Sequence, residues 1–580
     1  MTNKKIKYAP VSPEVEEIAA GHGHNPEALL EILKEIQTHP AGLSKAALTD
    51  AAHTLKVPPH KAYGLATFYS MLTLEERRNV LRVCDGPVCW LKRATSKNGG
   101  PAWSSEVSDQ WSVERSSCLG LCDRAPAILV NDEQAGPVTA QDARKACQGW
   151  RGVPTDYSRP RAGEVRVMSA LIGRIDPDSI DDAIANDVYG GLKSALLKKP
   201  GEVIAEVEAS GLQGRGGAGF PVGRKWKFVA AEERTPRCIV CNADESEPLI
   251  FKDRVLIETN PHQLLEGIII AGYACSASEA WIYIRGEYES QARRLENAIR
   301  QAESKNLLGE NILGSGFSFR IHVHRGAGAY ICGEETALLE SLEGKRGEPR
   351  LRPPYPPSYG FRGMPTAVNN VESFCAVPHI LKNGAGWWKS LSPYSTPGTK
   401  MYMVLGHVKN PGLFEAPFGL TLRQIIDDFG GGMQTGSNFQ FALCGGAAGT
   451  VVDESLLDIP IDFASSQKGI SLGAGAFLIC DRSVSPVAFL RELLHFFAVE
   501  SCGKCTPCRV GTWRSLEILD RMANGLGLNG DMDELKTLAA LMQDSSFCGL
   551  GQSVPIPMRS ALSHFEAEFA RSESPMETRS

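Results

Sequence analysis

The sequence predicts a multidomain α/β protein. Its 580 residues suffice for about three to five domains of ordinary size. Between residues 165 and 375, apolar runs typical of buried strands (CIVCNA, AWIYIRG and FRIHVHRGAG) alternate with segments of helical spacing. Hydrophobic residues make up 43% and charged residues 22%, as in ordinary globular proteins. The net charge of −6 argues against nucleic acid as a partner, because a polyanion favours a basic surface.

We expect no insertion into a membrane. The most apolar stretch, residues 264–284, contains Glu266 and Glu279, and charges within a membrane span are costly. A buried helix followed by a strand explains this stretch better. The first residues, MTNKKIKYAPVSPEVEEI, lack the apolar core of a signal peptide. These features predict a cytoplasmic location.

Patterns along the chain divide it into seven segments. PEALLEILKEIQ repeats apolar residues at helical spacing, whereas VLRVC and AILVND are typical of short strands. A stretch rich in Pro, Gly and charge, GVPTDYSRPRAGE, indicates a linker. We expect a helical segment at 1–77, a small α/β domain at 78–150, a linker at 151–165, a larger α/β domain at 166–398, a β-rich domain at 399–478, a helical domain at 479–570 and a disordered polar tail at 571–580.

Eight of the sixteen cysteines fall into two groups, and the first group suits a metal centre. Four residues separate Cys84 from Cys89, and three separate Cys118 from Cys122. Four thiolates without a nearby His suit either structural zinc or an iron–sulfur cluster. Zinc sites usually have tighter cysteine pairs, so these gaps favour a [2Fe–2S] cluster. Zinc and unrelated core cysteines remain alternatives.

The second cysteine group is typical of a [4Fe–4S] cluster. Cys502, Cys505 and Cys508 stand at two-residue gaps in ESCGKCTPCR, and Cys548 follows forty positions later in SFCGLG. Three closely spaced cysteines can bind three corners of a cubane, and a distant fourth completes the ligand set. A zinc site would more often use two separate pairs.

A glycine loop and three polar islands indicate a site for a flat or anionic ligand. Gly214, Gly216 and Gly219 match the GxGxxG pattern, but the preceding run, PGEVIAEVEASGLQ, has helical spacing. A dinucleotide-binding turn would follow a strand, so this loop indicates only a close approach of backbone to a ligand. The islands are residues 242–247 (NADESE), 330–335 (YICGEE) and 369–370 (NN). Each island alone could be a solvated strand end, but together they suit the hydroxyls and ring edge of a flavin.

Taken together, these motifs resemble one family. GRGGAGF, NADE, AYICGEET, RPPYP, VNNVE and ESCGKCTPCR with FCGLG are similar to the NADH-binding flavoprotein subunit of respiratory complex I and its relatives, over residues 165–570. The first 150 residues resemble the thioredoxin-like [2Fe–2S] subunit of the same complex, here fused in front. The resemblance implies a thioredoxin-like [2Fe–2S] domain, a Rossmann-like FMN and NADH domain, a ubiquitin-like β-grasp (SLBB) domain and a C-terminal helical bundle with a [4Fe–4S] cluster.

The resemblance also implies a set of ligand residues. Those expected around FMN are Gly214, Arg215, Gly216, Gly217, Lys225, Asn242, Asp244, Glu245, Tyr330, Gly333, Glu334, Asn369, Asn370 and Leu550. Those expected at NADH are Phe220, Phe228, Glu247, Glu335, Arg352 and Tyr355. The family more often has Lys in place of Arg352 and Phe in place of Tyr355, so NADH binding should persist with altered detail. The implied cofactors are FMN, NAD(H), one [2Fe–2S] cluster on Cys84, Cys89, Cys118 and Cys122, and one [4Fe–4S] cluster on Cys502, Cys505, Cys508 and Cys548.

The fused arrangement most resembles the diaphorase subunit of NAD-dependent molybdenum or tungsten formate dehydrogenases. Residues 458–463 (DIPIDF) and 547–552 (FCGLGQ) carry this similarity, which implies a catalytic partner subunit with a pterin-bound metal and further iron–sulfur clusters. The alternatives within the family are the diaphorase subunit of an NAD-reducing hydrogenase and a fused complex I subunit. The alternative outside it is a non-catalytic zinc-binding assembly protein.

The expected chemistry needs no acid or base. A hydride passes directly from NADH to FMN, so no residue is expected to transfer a proton. The acidic Glu247 and Glu335 are interpreted as positioning groups for ribose hydroxyls and amides. Because a 2′-phosphate is unfavourable beside carboxylates, we expect NADH to be preferred over NADPH.

Overall fold

The computed structural model describes residues 11–39, 42–74, 79–94, 107–108 and 110–574. The segment boundary expected at residues 77 and 78 and the tail residues 575–580 lie outside this part of the chain. Within it, no helix is both long and apolar enough to cross a bilayer.

The N-terminal residues form four helices that pack against the larger α/β domain. They are α1 (Pro13–Gly21), α2 (Leu29–Thr38), α3 (Lys45–Thr54) and α4 (Pro59–Ala66). Helix α2 buries its apolar face, and Ser44 caps α3 by accepting the N–H of Ala47. The Lys34 ammonium donates to Gly326 O at 2.9 Å, and the Tyr69 hydroxyl lies 2.6 Å from that of Ser341.

The next domain places two of its strand ends at one edge of a sheet. Its elements are β1 (Asn79–Cys84), α5 (Pro87–Ala94), β2 (Trp111–Ser116), β3 (Ile128–Val130), β4 (Glu133–Ala135) and α6 (Ala143–Cys147). The strand order is β2-β1-β3-β4, and β1 pairs with β2 in parallel. Because parallel strands end at the same edge, Cys84 at the end of β1 lies near the loop that follows β2 and carries Cys118.

The larger α/β domain is built on a parallel sheet with the order β7-β6-β5-β8. Its helices are α7 (Ile180–Ala185), α8 (Gly190–Leu196), α9 (Pro200–Ser210), α10 (Val222–Ala231), α11 (Lys252–Thr259), α12 (Pro261–Cys275), α13 (Glu289–Ser304), α14 (Glu335–Leu342), α15 (Val371–Asn383) and α16 (Ala385–Ser390). Its strands are β5 (Cys238–Ala243), β6 (Glu279–Ile284), β7 (Arg320–Arg325) and β8 (Thr366–Asn370). The apolar stretch at 264–284 is therefore a buried helix followed by a strand.

The β-grasp domain has its own apolar core and a mixed sheet. Its elements are β9 (Thr399–Gly406), β10 (Gly412–Pro417), α17 (Leu422–Gln424), a π-helical turn (Ile425–Phe429), β11 (Phe439–Cys444), β12 (Thr450–Val452) and β13 (Ala476–Asp481). The strand order is β10-β9-β13-β11-β12. The outer strands are antiparallel to their neighbours, whereas β9 and β13 run parallel in the centre.

The C-terminal part is a helical bundle. Its elements are α18 (Pro486–Glu500), α19 (Thr506–Ala523), β14 (Gly527–Leu528), α20 (Asp531–Ser545), α21 (Gly549–Ser553), α22 (Pro555–His564), α23 (Glu566–Arg571) and β15 (Glu573–Ser574). The expectation of a disordered tail from residue 571 is wrong for 571–574. Helix α23 includes Arg571, and β15 pairs in parallel with β14 because Gly527 lets the two backbones approach closely.

The linker at 151–165 contains neither helix nor strand. Hydrogen bonds nevertheless attach it both to the domain that carries Asp123 and to the β-grasp domain. The Tyr157 hydroxyl donates to Asp123 at 3.0 Å, and the Arg161 guanidinium donates to Asn410 O and Phe429 O at 2.7 Å each. Just beyond the linker, the buried Glu415 carboxylate accepts the N–H groups of residues 167–169 at 2.9–3.1 Å. It also accepts the hydroxyls of Ser169 and Thr399.

We expect Glu415→Gln to lower the thermal stability of the protein. The neutral amide has one acceptor oxygen and turns an NH2 group towards donors, so at least one buried hydrogen bond is lost at a cost of about 1–3 kcal/mol. Scanning calorimetry measures the change as a lower unfolding midpoint. Glu454→Gln, at an exposed position of the same domain, is the matched control. Equal midpoints for the two variants would contradict this role of Glu415.

Candidate functional site

A cavity of about 250 Å³ lies at the carboxyl ends of β5 and β8. In the pairing of these strands, Asn242 lies directly opposite Asn370. Nine of the fourteen residues expected around FMN line the cavity: Gly216, Asn242, Asp244, Glu245, Tyr330, Gly333, Glu334, Asn370 and Leu550. Residues of the islands 242–247 and 330–335 thus lie next to Asn370, from the third island, at one edge of the sheet. Ligand sites of parallel sheets commonly form at this edge.

Local bonds hold these side chains in place. The Asn242 amide donates to Gly333 O at 2.8 Å, which joins the first two islands. Asn370 caps α15 by accepting the N–H of Glu372 and donates to Asp253 at 2.6 Å. A side chain at Gly216 would come within 3.3 Å of the Asn370 Cβ, so glycine gives the backbone room at this wall.

Asp244 provides a test of whether the cavity fits a flavin nucleotide. Its Oδ2 is buried and has no hydrogen-bond partner among the described residues. Burial raises the pKa of this carboxyl well above its usual range, and the nearby Arg285 charge opposes that rise. An unpartnered acceptor in a cavity wall needs a donor from a ligand. The hydroxyls of the FMN ribityl chain are donors of this kind, so the wall fits the cofactor.

Sequence reasoning missed several residues of the wall, notably Lys252 and Asp253. The buried Lys252 ammonium lies 2.6 Å from Asp253, 3.0 Å from the Asn370 side-chain oxygen and 3.1 Å from Glu372. The sequence signal was the run of three charges, KDR, inside the apolar context LIFKDRVLI. A charged run in such a context is buried only when partners neutralise it. The other missed wall residues are Ile250, Ala474, Gly549 and Ser553, whereas Ser246 and Ile331 belong to two of the polar islands.

Two residues expected at FMN direct their side chains away from the cavity. The Asn369 oxygen accepts the indole N–H of Trp226 at 2.9 Å, because successive strand residues face opposite sides of the sheet. The buried Arg215 guanidinium lies 4.5 Å from the centre of the Phe418 ring and donates to Pro397 O. Both side chains therefore stabilise the surrounding structure, and contact of these two residues with FMN stays a prediction.

The other three residues expected around FMN, Gly214, Gly217 and Lys225, are not among those that line this cavity. Gly214 closes the loop by donating its N–H to Phe220 O at 2.9 Å. Gly217 lines a second cavity, of about 370 Å³, against the β-grasp domain. Lys225 donates to Val368 O at 2.8 Å and lies 3.6 Å from Glu335.

Five of the six residues expected at NADH form two groups, and the first group also includes Lys225 of the FMN set. Phe220, Lys225, Glu335 and Arg352 make a chain of contacts that ends at Glu334 on the cavity wall, with Arg352 3.5 Å from Glu335 and 3.6 Å from Glu334. Phe228 and Tyr355 are exposed, 45% and 55%, and neither lines the described cavities.

Glu247, also expected at NADH, lies between the two cavities and lines both. Its carboxylate accepts the N–H of Ala448 at 3.1 Å. Burial raises its pKa to about 7, while this hydrogen bond opposes the rise. A side chain at Gly446 would come within 2.5 Å of the carboxylate, so the glycine loop of the β-grasp domain is shaped around it.

The four cysteines of the C-terminal group line one small cavity next to the flavin cavity. Ile331 and Leu550 belong to the walls of both. Cys505 and Cys548 immediately precede helices α19 and α21. Four cysteine sulfurs around one cavity are the usual ligand set of a [4Fe–4S] cluster, so this donor set fits it.

The four cysteines of the N-terminal group are buried and close together. Cys84 contacts Cys89 and Cys118, and Cys118 contacts Cys122. The N–H of Leu249 donates to the Cys122 sulfur at 3.4 Å, and that of Gly120 donates to the Cys118 sulfur at the same distance. A shell of four thiols with N–H donors suits a [2Fe–2S] cluster.

Four family models match the chain in the order of its domains. The thioredoxin-like [2Fe–2S] ferredoxin model matches residues 15–151, and the Nuo51 FMN-binding domain model matches residues 207–379. The SLBB domain model matches residues 401–449. The NADH-ubiquinone oxidoreductase-F iron-sulfur binding region matches residues 488–572. The chain is thus an FMN-binding protein with one [2Fe–2S] and one [4Fe–4S] region.

Similar proteins are subunits of large oxidoreductases. The chain is 45% identical to the F 2 subunit of NADH-quinone oxidoreductase of Rhizobium meliloti over 66% of its length and 91% of the relative's. It is 44% identical to NADP-reducing hydrogenase subunit HndC of Solidesulfovibrio fructosivorans over 70% and 83%, respectively. A chain of NAD+-reducing [NiFe]-hydrogenase, solved in the air-oxidized state, has a TM-score of 0.79 and 30% identity, with 96% of this chain and 95% of that one covered. The chain therefore belongs to the family of NADH-binding flavoprotein subunits of respiratory complex I and its relatives.

Proposed function

We propose that this flavoprotein exchanges electrons between NAD(H) and a partner subunit that oxidises formate at a molybdenum or tungsten pterin centre. The observation that carries the electron-transfer part is the arrangement of three adjacent sites. The flavin cavity shares Ile331 and Leu550 with the cavity of the [4Fe–4S] cysteines. It also includes Ile250, next to the Leu249 N–H that bonds to Cys122. The formate part is supported by residues 458–463 and 547–552, which resemble formate dehydrogenase diaphorases.

The wall residues have distinct tasks in this proposal. Asn242, Asp244 and Asn370 bind and orient the flavin nucleotide through their polar groups. Ile331 and Leu550 exclude water from the side of the flavin cavity that faces the cysteines. Exclusion of water favours direct electron transfer between the flavin and the cluster. Bound FMN would convert the two-electron hydride of NADH into the single electrons that iron–sulfur clusters carry.

The dinucleotide site is assigned to the contact chain at the cavity mouth. Arg352, whose side chain is 34% exposed, has a long contact to Glu335 and can turn to a pyrophosphate. The Glu335 carboxylate can accept hydrogen bonds from ribose hydroxyls. Phe220 offers an exposed ring at which a base can stack.

A cytoplasmic location also belongs to this proposal. All sixteen cysteines are free, including the eight that are expected to bind no cluster. Free thiols persist in a reducing compartment, where NAD(H) is also found.

A second candidate partner is a hydrogenase. The observations that favour it are the match of a chain of NAD+-reducing [NiFe]-hydrogenase to 96% of this chain and the 44% identity to an NADP-reducing hydrogenase subunit. A fused complex I subunit is the third candidate.

Purification of the native complex under anaerobic conditions tests the proposal. We expect FMN, iron and molybdenum or tungsten in the complex, together with NAD reduction by formate. Nickel in the complex and NAD reduction by hydrogen would instead indicate that the subunit belongs to a hydrogenase. Copurifying membrane subunits would favour complex I, and zinc without flavin would overturn the whole function.

We expect Cys505→Ala to abolish the [4Fe–4S] cluster and the partner-linked reduction of NAD. The cluster loses one of its four ligands, whereas no wall residue of the flavin cavity changes. EPR spectra, iron content and formate-driven activity of the complex measure the loss, and FMN content should persist. Cys147→Ala, at a cysteine outside both groups, is the control. Surviving partner-linked activity in Cys505→Ala would refute the path through this cluster.

We expect Glu335→Gln to weaken NADH binding about ten- to a hundredfold, because a hydrogen bond to a charged group contributes about 1.5–3 kcal/mol. The preference for NADH over NADPH should narrow, since less negative charge opposes the 2′-phosphate. Titration of each nucleotide measures both effects, and FMN fluorescence checks that flavin binding is unchanged. Glu303→Gln, at an exposed position on α13, is the control. Unchanged NADH affinity in Glu335→Gln would contradict the assignment of Glu335 to the NADH site.

A further inference from the structure

Arg285 joins the cysteine site of the thioredoxin-like domain to the flavin cavity. It follows strand β6 and is only 2% exposed. Its guanidinium donates to Cys118 O at 2.6 Å and to Glu245 O at 2.7 Å. Cys118 is a cluster ligand in the family, and Glu245 lines the flavin cavity. One buried cation therefore contacts a backbone carbonyl at each site.

A second set of bonds links the same two segments. The Glu245 carboxylate accepts the N–H of Arg254 at 3.0 Å and the hydroxyl of Tyr288 at 3.1 Å. The Arg254 side chain donates to Gly120 O at 3.2 Å. Gly120 has φ of +68°, and a side chain there would come within 2.1 Å of the Tyr288 hydroxyl. The loop between Cys118 and Cys122 is thus packed directly against the layer that supports Glu245.

The charge of Arg285 is paired with that of one buried carboxylate. Its partner, the buried Glu287 carboxylate, accepts hydrogen bonds at 2.7 and 3.1 Å. Both side chains lie in a region of low polarity, where charges act strongly on neighbouring groups. The charges of both residues reach the flavin cavity. Burial raises the pKa of Asp244, the Arg285 charge opposes that rise, and the Glu287 charge adds to it.

We propose that Arg285 is a positioning residue that couples the [2Fe–2S] site to the flavin cavity and sets the reduction potentials of both. An electron added to either site adds negative charge, which a nearby buried cation stabilises. The inference rests on the proposed electron-transfer function but not on the identity of the partner subunit. In this inference, the charge of Arg285 affects the reduction potentials of both sites.

Arginine suits this position better than lysine. Its planar guanidinium donates in three directions at once, to two carbonyls and to one carboxylate. A lysine would keep the charge but could not fill all three directions. A comparison of arginine with lysine at position 285 therefore separates the effect of the charge on the reduction potentials from the effect of the fixed geometry.

A charge series tests the proposal. Glu287→Gln removes the negative partner, so the [2Fe–2S] midpoint potential should shift to a more positive value. Arg285→Met with Glu287→Gln removes both charges without leaving a buried unpaired ion, so the potential should fall below that of Glu287→Gln. Arg285→Lys should stay closer to the unmodified protein. Arg293→Met, at an exposed arginine on α13, should leave the potential unchanged.

EPR-monitored redox titration of the full-length protein measures the cluster potentials, and absorbance measures that of the flavin. The flavin potential should move in the same direction as that of the [2Fe–2S] cluster in every variant, and the [4Fe–4S] potential should move less. The proposal is overturned if Glu287→Gln and the double variant share one [2Fe–2S] potential, or if the flavin potential stays unchanged while the [2Fe–2S] potential moves. Protein without flavin or iron would instead contradict the proposed function itself.

Discussion

One stretch of backbone, residues 244–250, has a redox site on each side. Asp244, Glu245 and Ile250 line the flavin cavity, while the N–H of Leu249 bonds to the Cys122 sulfur. Leu249 has a φ of 80°, a conformation that disfavours residues with a side chain and costs about 1–3 kcal/mol. The surrounding structure holds it in place, because its side chain is fully buried. The short separation between the two sites depends on this strained turn.

Buried ions surround this stretch, and their pairing makes the arrangement stable. Lys252 and Lys400 both contact the Glu372 carboxylate, at 3.1 and 3.2 Å, and all three side chains are almost completely buried. Removing one member would leave an uncompensated charge, which is strongly destabilising. Attraction from both lysines lowers the pKa of Glu372, although burial acts in the opposite direction. The network keeps that carboxylate charged beside the Asn370 wall, so Lys252 in the cavity wall and its two buried partners set the polarity there.

The β-grasp domain completes the site from the side opposite the sheet. Its loop at Ala448 donates to Glu247, and Ala474 belongs to the walls of both larger cavities. Phe463 packs under the glycine loop, where a side chain at Gly219 would come within 2.8 Å of the ring. The glycines of the loop thus allow two domains to approach closely.

The sequence by itself determined the fold class, the domain types and the cofactors, because long motifs and cysteine spacings are local properties of the chain. It also identified most residues of the flavin cavity wall. Only the tertiary structure decided that Asn370 lines the cavity whereas Asn369 bonds to Trp226, since both faces of β8 are buried and both residues are polar. It likewise decided that Arg215 stacks on Phe418. Lys252 and Arg285 became part of the site through partners more than 100 positions away, and no local pattern records such contacts.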